Sequence, residues 1–112
     1  MAWNFISKLV ISGPQWPVNG NGFQGILHFQ LDNNGNVSGT VYGDSLSNII
    51  IENNFIQFRR NGNGFHQIWT GAIVDLQFGQ GGIDHGVVLM GTFTHDDQGC
   101  FGWTTEPLVL AV

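Results

Sequence analysis

From Phe23 to Gly43 the chain has the rhythm of two strands and the turn that joins them. Phe23, Leu27, Phe29 and Leu31 fall at two-residue spacing, with Gln24, His28, Gln30 and Asp32 between them. That is the period of a strand with one face buried. The polar link Asn33-Asn34-Gly35-Asn36 follows, and its Asn-Gly pair suits the positive φ angles of a hairpin turn. Val37, Val41 and Tyr42 then carry a returning strand.

The same grammar runs through the rest of the chain. Trp3 to Ile11 alternates loosely and reads as a first strand, ended by Ser12-Gly13-Pro14. Gln15 to Gly22 reads as a polar loop carrying Trp16 and an Asn-Gly-Asn-Gly run. Strands are then expected over Asn48–Glu52, Phe55–Arg60, Phe65–Gln77, Gly86–His95 and Cys100–Thr105, with Leu108 to Val112 a short apolar tail. Apolar residues never keep helical spacing for more than a turn. About eight strands with short links predict an all-β fold, a single small antiparallel up-and-down β-barrel spanning residues 1–112. Closure removes the edges that so apolar a sheet would otherwise expose. A two-sheet sandwich is the competing architecture. Glycines at 25, 39, 71, 91 and 102 fall inside strands and read as bends or bulges. Asn19-Gly20-Asn21-Gly22-Phe23 recurs as Asn61-Gly62-Asn63-Gly64-Phe65, one turn chemistry used twice.

A length of 112 residues suits one domain that needs no covalent staple. Cys100 is the lone cysteine, expected as a small buried thiol. No leader is visible, so a reducing, cytoplasmic setting is expected, with leaderless export left open. Lys8, Arg59 and Arg60 are the whole basic inventory against a net charge of −5. Three cations are too few to neutralise a run of phosphates, which argues against nucleic acid and anionic membrane as partners. No apolar run reaches the length of a membrane-spanning helix.

Three short motifs fail on context. Gly20-x-Gly22-x-x-Gly25 has the spacing of a dinucleotide fingerprint but precedes a strand, where the pyrophosphate needs a helix N-terminus. Asp32-x-Asn34-x-Asn36 starts like a calcium loop, yet its glycine is missing and Gly43 stands where the bidentate Glu belongs. Asn36-Val37-Ser38 is a glycosylation triplet that matters only in a secreted protein. His28, His66, His85 and His95 form no close ligand pair, so no metal, cofactor or catalytic residue is assigned.

A tryptophan near the start, the run Asn34-Gly35-Asn36-Val37-Ser38-Gly39-Thr40-Val41, and Ile68-Trp69-Thr70-Gly71 together resemble the avidin family and, more broadly, lipocalin-like barrels. The resemblance implies a barrel with a central ligand cavity. The polar Asn and Ser of the family's first strand and its late Trp-Lys pair are absent here, so biotin is not implied.

The rings are the candidate ligand contacts: Trp3, Trp16, Tyr42, Trp69 and Trp103, with His28 and His66 as polar anchors. Trp16, set between Gln15 and Pro17, is the one expected to be exposed. The favoured reading is a non-catalytic barrel holding a small, mostly apolar molecule in its interior. Alternatives are a lectin using Asn-, Gly- and Trp-rich loops, and a cyclase- or isomerase-like barrel using a His or carboxylate. Strands apolar on both faces further suggest an outer wall covered by another copy, in a dimer or tetramer.

Overall fold

A computed structural model describes residues 10–11, 13–76 and 84–111. Nine strands lie among them: β1 (Gln15–Gly20), β2 (Phe23–Leu31), β3 (Val37–Val41), β4 (Asp44–Glu52), β5 (Phe55–Asn61), β6 (His66–Asp75), β7 (Asp84–His95), β8 (Gln98–Thr105) and β9 (Leu108–Ala111). Each of β1 to β7 pairs antiparallel with the next, and β8 returns to β1 through Val18–Thr105 and Gly20–Trp103. The result is a closed eight-strand up-and-down barrel rather than a sandwich. β9 extends the wall by pairing with the first residues of β7, from Asp84–Ala111 to Val87–Leu108.

Two expectations need correcting. Gln15–Gly20 is not a loop but the first strand among the described residues, and of the strand expected over Trp3–Ile11 the described end, Val10 and Ile11, belongs to no strand. Nothing else of that stretch, Trp3 included, lies within the described residues. Gln15–Gly20 alternates Trp16, Val18 and Gly20 inward, but Pro17 disguises it. A strand residue points its N–H and C=O to the same side. The Pro17 carbonyl accepts from the Glu106 amide, where β8 has ended, so no ladder bond is lost to the ring. The apolar tail, likewise, is strand β9.

Two-residue links set the register at one end. Asn21-Gly22 (φ 51° and 93°) joins β1 to β2, and Tyr42-Gly43 (φ 52° and 80°) joins β3 to β4. Paired positive φ values match the twist of the flanking strands. One register shift lies in β4, where Asn48 (φ 51°) is the extra residue, and another between β7 and β8 beside Gly99 (φ 77°). Of the five in-strand glycines, Gly71 and Gly91 face each other across an unbroken ladder. A β-carbon on Gly91 would stand 1.9 Å from the Thr70 carbonyl oxygen, and one on Gly71 would stand 2.2 Å from that of Met90. These two are points of close backbone approach rather than bulges, while Gly102 meets nothing.

Inward positions change character along the barrel. Reading up β5 gives Ile56, Phe58, Arg60; β6 gives Ile73, Trp69, Gln67; β7 gives Leu89, Phe93, His95. The aliphatic end is solid, closed by Trp16, Leu27, Phe29, Ile56, Ile73 and Leu89, all essentially without solvent contact. Each such side chain contributes about 1.5–3 kcal/mol by leaving water. Aromatic rings fill the middle: Trp69 lies 5.5 Å from Phe58 and 5.2 Å from Trp103. The polar end stays open.

Candidate functional site

The open end is a cavity of about 410 Å³ lined by Gly20, Asn21, Phe23, Tyr42, Arg60, Gln67, Trp69, Phe93, His95 and Phe101. Its size falls within the usual range for small-molecule sites, about 300–1,000 Å³. Each wall has a local cause. The alternation of β5 and β6 turns Arg60 and Gln67 inward above Phe58 and Trp69. The register shift opposite His95 falls beside Gly99, the sort of irregularity that re-aims side chains at a barrel rim. Trp69 and Phe93 form the floor, stacked at 4.7 Å with an 11° interplanar angle.

Tyr42 is the most constrained wall. A bulky residue at φ 52° costs about 1–2 kcal/mol in backbone sterics. Its surroundings hold it there: the hydroxyl accepts from the Gly20 amide at 2.9 Å and donates to the Phe23 carbonyl. The ring lies over Gly25, where a β-carbon would fall 2.3 Å from it. Strain kept against a cost of this kind gathers at sites that bind or react.

The polar members of the cavity are tied to one another. Arg60 donates through Nε to Asp44 Oδ2 at 2.8 Å, and its Nη2 lies 2.8 Å from the same oxygen. Its Nη1 donates to Gln67 Oε1 at 3.2 Å, and Trp69 Nε1 donates to that oxygen at 2.9 Å. Guanidinium and indole nitrogens only donate, so the Gln67 atom that receives both is the carbonyl oxygen. Its amide nitrogen, 3.0 Å from His95 Nδ1, must then donate to the ring. Neutral His95 accordingly carries its proton on Nε2, which lies 3.6 Å from Asp96 Oδ2. The guanidinium of Arg60 also sits over the rings of Tyr42 and Phe65, 4.7 and 5.0 Å from their centroids, and Phe65 stacks on His95.

Of the residues expected to meet a ligand, the fold brings Tyr42 and Trp69 into this cavity. Trp103 lies beneath it, donating its indole N–H to the Thr92 carbonyl. Trp16 is not in an exposed loop: it is fully buried at the opposite end, and among the described residues no acceptor reaches its Nε1. His28 points away from the interior and donates through Nε2 to the Gly13 carbonyl. His66 faces out as well, its ring nitrogens 3.3 Å from Asp96 Oδ1 and 3.1 Å from Asp97 Oδ1. The expected buried thiol is another correction, since Cys100 is exposed. His85 lies in β7, and its side chain is outside the described residues.

Sequence reasoning missed Phe23, Arg60, Gln67, Phe93, His95 and Phe101. A signal for two of them was present: Arg60 and Gln67 keep step with the buried residues of their strands, which is unusual for such polar side chains. Among the described residues, no three His, Cys, Asp or Glu side chains gather in a way that could hold a metal. The chain matches no family model, and neither a curated protein nor a solved structure matches it. The resemblance to avidins and lipocalins therefore stands at the level of a closed eight-strand antiparallel barrel.

Proposed function

We propose that this barrel is a non-catalytic binding protein that takes one small, mostly apolar molecule into the cup at its open end. The observation that carries the reading is a cavity walled mostly by aromatic rings, in which Gln67 and the Tyr42 hydroxyl are already bonded to the protein. A ligand entering it meets the faces and edges of Phe23, Tyr42, Trp69, Phe93 and Phe101 and need not compete for Gln67 or the Tyr42 hydroxyl. Such a surface gains from excluding water and selects by shape. A sugar, by contrast, would need free polar groups to pair with its hydroxyls. Two asparagines beside the cup are occupied in building its rim: Asn19 caps the Gly22 amide, and Asn61 reaches Ser45 and Ser47. The reading includes self-association, supported by Phe55, Ala72 and Met90, which occupy one row of the outer wall with Phe55 and Met90 exposed.

Native mass spectrometry of the purified protein tests both parts. The expected spectrum shows an oligomer with a small organic mass bound per barrel, released by solvent extraction. A barrel that is empty as purified and also fails to bind 2-acetylnaphthalene rejects the carrier reading.

A further inference from the structure

Among the described residues Arg60 is the only full cation on the cavity wall, and its charge is spoken for. Asp44 meets two of its nitrogens through one carboxylate oxygen, each at 2.8 Å, and both side chains are largely shielded from solvent. Of its five N–H groups, one on each terminal nitrogen is left over after Asp44 and Gln67 are served. Those two can donate to a ligand, but the site as a whole carries no net positive charge. His95 adds none when neutral, and its Nε2–H lies near the Asp96 carboxylate. An anionic ligand would lose its hydration and approach Arg60 with Asp44 already beside it. That juxtaposition of like charges is unfavourable.

We infer that Asp44 is a specificity-determining residue: by neutralising Arg60 it makes the cup select flat, uncharged molecules bearing one hydrogen-bond acceptor, such as a carbonyl, and reject the corresponding carboxylates. This rests on the carrier reading and adds the polarity of its ligand. Asp44 starts β4 beside the Tyr42-Gly43 turn, so its position is fixed by the same link that presents the Tyr42 ring.

The test compares 2-acetylnaphthalene with 2-naphthoate, alike in shape and different in charge, by NMR titration of the Trp69 indole and Gly20 amide signals. Wild type is expected to bind the ketone about tenfold more tightly than the carboxylate, the scale of one uncompensated interaction. Asp44→Asn is expected to tighten 2-naphthoate by about tenfold while shifting the ketone by less than about threefold. Asp44→Glu, which keeps the counter-charge, retains the wild-type preference. The double variant Asp44→Asn/Arg60→Gln removes both charges and loses the gain. Equal or tighter binding of 2-naphthoate by wild type overturns the inference, as does a folded Asp44→Asn protein that gains nothing for it. Should neither probe bind any of these folded proteins, the carrier reading itself falls, a result distinct from loss of selectivity alone.

Discussion

The two ends of this barrel are built from the same strands and follow opposite rules. At the end bounded by the β2–β3 and β4–β5 turns, inward residues are aliphatic or aromatic and fill the interior. At the end bounded by the β1–β2, β3–β4, β5–β6 and β7–β8 turns, inward residues are rings, an arginine, a glutamine and a histidine, and they leave a hollow. The first arrangement gains stability from removing apolar surface from water. The second gives up part of that gain and keeps its shape through hydrogen bonds that run from Asp44 through Arg60 and Gln67 to His95. One end is a packed core, and the other keeps a hollow, the cup to which we assign a ligand.

Truncation separates the two ends most sharply. Phe29→Ala at the solid end is expected to cost about 3–5 kcal/mol in urea unfolding. Phe101→Ala, on the half-buried wall of the cup, is expected to cost about 1 kcal/mol and to weaken binding of 2-acetylnaphthalene. Equal costs would make the cup an extension of the core. A finer contrast comes from the tryptophans. Trp69→Phe removes one of the two donors to Gln67 and should cost about 2 kcal/mol. Trp16→Phe loses similar volume but also removes an indole N–H with no acceptor among the described residues. Its cost is expected to stay below about 1 kcal/mol in the same unfolding measurement.

The smallest effect concerns the turns. Asp32 Oδ1 accepts from the amides of Asn34 and Asn36 in the β2–β3 turn, each at 2.8 Å. The bond from Asn36 leads in holding its carboxyl below the ordinary carboxylate range. A lowered native value means the contribution is complete above the unfolded carboxyl's range, about 3.9, and is lost as pH falls through the native one. Hydrogen exchange at the Asn34 and Asn36 amides should therefore lose its protection in strong acid. The Gly22 amide at the other end, capped by the uncharged Asn19 side chain, should be indifferent to the same change.

How far the sequence foretold this molecule also differs between the ends. Hairpins such as β2–β3 were plain, because alternation and Asn-Gly links are local chemistry. β1 was hidden: Pro17 and its polar neighbours mimic a loop, and only the edge left by β8 makes proline harmless there. The cup was harder still. Arg60 and Asp44 are brought together by the β4–β5 pairing, and Gln67 meets His95 across the β6–β7 ladder. Their phase within each strand was visible, but which strands become neighbours at the open end depends on closure. Trp16 was misjudged for the same reason, its polar flanks saying nothing of the wall that covers it.

The meeting of Gly71 and Gly91 reaches beyond folding. Neither position admits even a methyl group, since the opposing strand's own main chain stands in the way. Descent with modification can rewrite the rim and the outer wall, while these two places stay bare for as long as the ring of strands survives. The surest heirloom of such a lineage is an omission, kept in two places at once.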